Sequence, residues 1–165
     1  MDTIPRPVIT PADPPRARGQ GVARVLLVVA LAALGLWILR AFLPALRDNG
    51  EGTVLNLTSI AGWRAYEGGS GYNAAKFGLR GMTRALRREE AENGIRVCEI
   101  DPGRVKTDFS LNRFNGDEER AAQVYEGKHN LTAEDIAEAV RWVASLPAHV
   151  NVDTMSIMPV DQAER

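Results

Sequence analysis

The stretch "TVLNLTSIAGWRAYEGGSGYNAAKFGLRGMTRALRREEAENGIRVCEI", Thr53 to Ile100, changes its hydrophobic period twice. "TVLNLTS" (53–59) is a short run rich in β-branched and apolar residues, the composition of a strand. After the glycine-rich "GGSG" (68–71), apolar residues recur at helical spacing, with Ala75, Leu79, Met82 and Leu86 on one predicted face. Asn93-Gly94 ends that helix, since glycine accepts the left-handed backbone that closes a last turn. "IRVCEI" (95–100) reads as a second strand, and "DPG" (101–103) as a turn that breaks it. Strand, helix and strand in succession imply a right-handed crossover and a parallel sheet.

The rest of the C-terminal part extends the alternation. Residues 104–131 are loop-rich, with a short helix predicted near "DEERAAQVYEG". "TAEDIAEAVRWVASL" (132–146) carries its own start signal, with Thr132 as cap, Asp135 at the third helical position, and Ile136, Val140 and Val143 as its apolar stripe. "VDTMSIMPV" (152–160) supplies a third strand. The expected fold class is α/β, with residues 50–165 as one domain.

The N-terminal part is different. Residues 1–21 hold five of the nine prolines and little that could pack, so they read as a disordered Pro/Arg-rich tail. Residues 22–47 form an apolar helix, uninterrupted by charge from Val25 to Leu39. Those fifteen residues span roughly 22 Å as a helix, against about 30 Å of bilayer hydrocarbon. Both a membrane span or anchor over residues 25–46 and a buried or interface helix fit that length. Arginines at 6, 16, 18 and 24 precede the run, a bias that would keep the tail cytoplasmic and export residues 50–165. The expected location is cytoplasmic or membrane-associated.

Other classes are excluded by composition. A formal net charge of −1 gives no electrostatic reason to expect nucleic acid. Cys98 is the single cysteine, so no internal disulfide forms; no metal site is expected, and the residue reads as a small buried strand side chain. His129 and His149 stand apart in loop-like sequence without metal-ligand or triad spacing.

The chemistry concentrates around Tyr72. Lys76 follows it by one helical turn, so the two side chains share a face. An ammonium near a phenol favours the phenolate, which equips a tyrosine for general acid–base work. Ser59 ends a strand at the carboxyl edge of the predicted sheet, where α/β proteins bind ligands.

The segment "GTVLNLTSIAG…YNAAKFGLRGMTRALRREEAENGIRVCEIDPGRVKTDF" resembles the C-terminal half of a short-chain dehydrogenase/reductase, and the likeness runs from about Arg40 to Gln162. The resemblance implies a partial Rossmann-like, doubly wound parallel sheet and an oxidoreductase acting on CH–OH groups with NAD or NADP. It implies that Ser59 orients the substrate oxygen, that Tyr72 exchanges the proton, and that Lys76 lowers the tyrosine pKa and bonds the nicotinamide ribose. "PGRVKT" matches the family's cofactor loop, which would set Pro102, Gly103, Val105 and Thr107 against the nicotinamide. The Val105 amide and the Thr107 hydroxyl are its expected carboxamide contacts. The segment after Thr107, through about Leu131, would form the substrate lid over a small alcohol or carbonyl compound. The apolar helix would be the one through which the family pairs subunits, making a homo-oligomer possible.

The sequence departs from the family in two places. The T-G-x-x-x-G-x-G turn that seats the pyrophosphate at a helix N-terminus is missing, and "GQG" (19–21) has neither the preceding strand nor the remaining glycine. The family's catalytic asparagine falls near Leu31, which is apolar. The expectation is a truncated member retaining Ser, Tyr and Lys. The alternative is a catalytically inactive remnant that is membrane-anchored or acts as an interaction partner.

Overall fold

The computed structural model describes residues 18–163, the side chains of 18–29, 31 and 32 excepted. Most of the predicted tail (1–17) and the side chain of Leu31 lie outside the described residues. Helix α1 (Arg18–Asp48) begins before the predicted residue 22 and contains Pro44. The backbone contacts divide the chain between Leu43 and Pro44. In the first unit Leu34, Leu36, Trp37, Ile38 and Phe42 are exposed. Among the described residues no helix is long and apolar enough to cross a membrane.

The second unit holds a sheet of three parallel strands in the order β1 (Gly52–Leu57), β2 (Ile95–Pro102), β3 (Met155–Ile157). Gly52 to Leu57 pair with Ile95 to Ile100, and Ile100 to Pro102 pair with Met155 to Ile157. The sheet and its helices have the predicted α/β architecture. The predicted turn at 101–103 starts later than expected, because Asp101 and Pro102 remain in β2. Proline lacks an amide, yet it is tolerated at the end of a strand, and the next amide, from Gly103, donates to the Ile157 carbonyl at 2.8 Å. The third strand is correspondingly shorter than residues 152–160.

The two faces of β2 are built differently. Cys98 and Ile100, both fully buried, pack with Val143 of α5 (Ala133–Ser145) and with Leu55, Ala139, Val140, Met155 and Ile157. Burying a side chain such as Ile100 is worth about 1.5–3 kcal/mol. Helix α5 starts as the sequence indicates: Thr132 and Asp135 complete a reciprocal capping box.

The opposite face is mixed, with fully buried Val97 beside the equally buried Glu99 and Asp101. Helix α2 (Ser70–Glu90) buries Asn73, Thr83, Leu86 and Glu90, whereas Ala75 of the predicted stripe is exposed. The stripe is displaced because strand residues that face α2 are themselves polar. Asn56 of β1 donates to the Thr83 hydroxyl at 2.9 Å, and Arg80 reaches Glu99 and Asp101 of β2. A short 3-10 turn (Ala91–Asn93) follows α2, and Gly94 closes it with φ 71°. A side chain at Gly94 would also lie 2.9 Å from the Gly50 carbonyl oxygen. Two short helices, α3 (Phe109–Arg113) and α4 (Glu118–Gln123), occupy the region read as loop-rich.

Candidate active site

Parallel strands deliver their C-terminal ends to one edge of the sheet, and Ser59 leaves β1 at that edge. Its hydroxyl accepts the Ala61 amide at 3.1 Å, capping a 3-10 turn (Ile60–Gly62), and lies 3.4 Å from the Pro102 carbonyl as donor. The turn packs directly on α2: a Cβ at Gly62 would sit 3.0 Å from the Lys76 carbonyl oxygen.

Asn73, unnoticed in the sequence reading, fixes the relation between these pieces. Its buried amide donates to the carbonyls of Ala61 at 2.8 Å and Arg64 at 3.0 Å, and its oxygen accepts the Tyr66 amide at 3.4 Å. The first turn of α2 is thereby tied to the loop that carries Ser59. Gly69 is required beside it, since a Cβ there would fall 2.3 Å from the Tyr66 ring. The only sequence signal was an amide one turn before Lys76 in the first turn of the helix.

Tyr72 and Lys76 project from α2 as their spacing predicts, with the Lys76 ammonium 5.7 Å from the Tyr72 ring centroid. Lys76 Nζ donates to the Leu57 carbonyl at 3.1 Å. Burial lowers the Lys76 pKa, and the Asp101 carboxylate pulls it back up. The Tyr72 pKa is raised, contrary to the lowering expected from Lys76. Burial is the main cause; a hydrogen bond with Ser59 lowers it, Tyr66 adds to the rise, and Arg113 opposes it. The Phe109 ring of α3 rests 5.2 Å from the Tyr72 ring, centroid to centroid.

The predicted cofactor loop lies at the same end of the sheet. Pro102 ends β2 within reach of Ser59, and Gly103 is closely covered: a Cβ there would be 2.5 Å from Gln162 Oε1. Val105 bridges Leu131, with Lys106 donating to the Leu131 carbonyl and Leu131 donating to Arg104. This pattern leaves the Val105 amide without a bond among the described residues. Thr107 accepts the Phe109 amide at 3.3 Å and retains its own hydroxyl hydrogen as a donor. An amide and a hydroxyl with free donor capacity fit the carboxamide of a nicotinamide ring. For the pyrophosphate the fit fails within this chain, because the sequence has no glycine-rich strand-to-helix turn. Among the described residues, no cluster suited to a metal ion occurs.

A parallel α/β sheet carries a serine, a tyrosine and a lysine at its C-terminal edge, and the comparisons give the chain a family. The short chain dehydrogenase profile matches residues 25–118. The chain belongs to the short chain dehydrogenase family. It is 48% identical over 128 residues to an uncharacterised oxidoreductase of Mycobacterium tuberculosis, an alignment covering 78% of this chain and 51% of that protein. Identity is 44% to the NADP-dependent 3-hydroxy acid dehydrogenase of Salmonella typhimurium, covering 78% and 52%. Among solved structures, the closed form of a serine dehydrogenase complexed with NADP+ is 41% identical, with a TM-score of 0.76, covering 78% of this chain and 52% of that one. The chain thus spans about half the length of the curated relatives it matches.

Proposed function

We propose that this chain carries the proton-transfer and nicotinamide-facing part of an NAD(P)-dependent oxidoreductase that interconverts an alcohol and a carbonyl compound. The observation that supports it most is the convergence of Ser59, Tyr72, Lys76 and Pro102 at one sheet edge, held in place by Asn73. In this reading the Ser59 hydroxyl orients the substrate oxygen and the Tyr72 hydroxyl gives or takes its proton. Lys76 binds the nicotinamide ribose, and Pro102, Gly103, Val105 and Thr107 line the nicotinamide itself. A bound dinucleotide would supply the hydride chemistry, and every proton step belongs to the chain's own residues. The names of two relatives, a 3-hydroxy acid dehydrogenase and a serine dehydrogenase, favour hydroxy acids as the substrate class, and both names or titles carry NADP.

A titration of the full chain with NADPH and with NADH, followed by calorimetry, tests the cofactor assignment. Saturable binding of one of them is expected, and so is NADP+ or NAD+ reduction in the presence of serine or 3-hydroxypropionate. No saturable binding of either dinucleotide would defeat the cofactor assignment. The exposed side chains Leu34, Trp37 and Phe42 of α1 support association with a second copy. Sedimentation is expected to find a dimer or larger species, and a monomer would end that part of the proposal.

A further inference from the structure

Arg47, Arg80, Arg87, Arg104 and Arg141 of the second unit each pair with a carboxylate, Arg96 bonds the Val143 and Ala144 carbonyls, and Arg120 lies over a ring. Arg113 has no carboxylate partner among the described residues. It is held by aromatic rings instead, its guanidinium carbon 4.9 Å from the Tyr66 ring centroid and 5.4 Å from that of Phe114. Ring contacts of this kind orient a guanidinium while leaving its charge and its forked donors available.

Its position connects it to the reacting group. Arg113 follows Phe109 by four residues in α3, so the two share a helix face. Phe109 is stacked at a tilt on Tyr72, and Tyr66 is tied through its amide to Asn73, the neighbour of Tyr72. The positive charge of Arg113 is felt at the Tyr72 phenol, where it opposes the effect of burial.

We propose that Arg113 binds the carboxylate of the substrate while Tyr72 serves its hydroxyl, and that Arg113 thereby selects 3-hydroxy acids over uncharged alcohols. This specificity role rests on the oxidoreductase reading of the site. In a 3-hydroxy acid one carbon separates the carbinol carbon from the carboxylate carbon, so the molecule presents an anion a short, fixed distance from the oxygen that reacts. A guanidinium held on the Tyr66 ring, in the helix whose Phe109 rests on Tyr72, complements that pairing, and its planar fork matches both carboxylate oxygens. Arg120 provides an internal control. It lies over the other aromatic neighbour, 4.4 Å from the Phe114 centroid, on a different helix.

The test uses the full chain and its R113Q, R113K and R120Q variants, with 3-hydroxypropionate as the anionic probe and 1,3-propanediol as the uncharged one. Binding of each probe is measured by ligand-observed NMR with NADPH and without it, so that the result does not depend on turnover. R113Q is expected to weaken 3-hydroxypropionate about 10- to 100-fold. R113K should recover part of that loss, R120Q should change affinity little, and 1,3-propanediol should respond to none of them. In active enzyme the loss falls on KM more than on kcat. Unchanged 3-hydroxypropionate affinity in R113Q, or no detectable binding to the parent chain, would overturn the proposal. Binding that depends on Arg113 in a chain without turnover would instead count against the oxidoreductase reading alone.

Discussion

Replacing Tyr72 by phenylalanine is expected to lower kcat by about 100- to 10,000-fold, the usual contribution of a positioned general acid or base. The substitution is unusually clean here. Phenylalanine keeps the ring that packs on Phe109 and faces the Lys76 ammonium, and it loses only the hydroxyl. The thermal midpoint should therefore stay near the parental value and cofactor affinity should change little. The direction of the Tyr72 shift adds a pH signature. A phenol held above its ordinary pKa by burial stays protonated through the neutral range, ready to donate to a carbonyl oxygen. Taking a proton from an alcohol requires the phenolate, so the oxidation rate should climb with pH on the alkaline side while reduction stays level near neutrality. Initial rates in both directions over a pH series check this. Full activity in Y72F would remove Tyr72 from the reaction.

The elements that could be read from the sequence were those whose signals are local. The capping box at Thr132 and Asp135 needs only four residues, and α5 starts where they place it. Gly94 takes the left-handed backbone that Asn93-Gly94 announces. The shared face of Tyr72 and Lys76 followed from one helical turn and the place of Ser59 from one strand end, whereas their membership of one site was implied by the family resemblance. Harder to see was anything decided across the sheet. The buried face of α2 is largely polar, Leu86 excepted, because Asn56, Glu99 and Asp101 face it, and an apolar periodicity cannot report a partner that is itself polar. Pro102 reads as a breaker until β3 is present to pair with it. Arg113 lay within a lid of unassigned structure, and its meaning depends on Tyr66 and Tyr72, distant in sequence, as well as on its neighbours Phe109 and Phe114. The expected lowering of the Tyr72 pKa considered charge alone; the fold adds burial, which is the larger influence.

Arg80→Met is expected to destabilise the chain by about 3–5 kcal/mol near pH 8, the scale for breaking a buried ion pair from one side. Arg80 Nη1 lies 3.2 Å from Asp101 and its Nε 3.5 Å from Glu99, and both carboxylates are fully buried. Among the described residues Glu99 has no hydrogen-bond partner for either oxygen, whereas Asp101 also accepts the Thr58 hydroxyl. Burial first, and then the charge of Asp101, push the Glu99 pKa from 4.5 up to about 7, with Arg80 and Arg84 opposing. A proton on Glu99 lets it donate to Asp101, which converts a repulsion into a hydrogen bond. The folded chain therefore keeps a proton that the unfolded chain releases at lower pH. That stability is fully present below the ordinary carboxylate value and is lost as pH rises from about 4.5 through 7, by up to about 3 kcal/mol. Urea denaturation near pH 5 and near pH 8 should show this fall in the parent, a larger one in R80M, and a flattened one in Glu99→Gln. Adding E99Q to R80M should restore part of the stability at the higher pH, because it removes one of the two charges that Arg80 balances. Equal losses for R80M at both pH values, with no recovery in the double variant, would show that Arg80 acts through packing and not through its charge. Because the Asp101 charge also supports the Lys76 ammonium, R80M should disturb the lysine only indirectly. A fall in activity that tracks the stability loss across pH would locate the effect in this acid layer beneath the site and not at Tyr72.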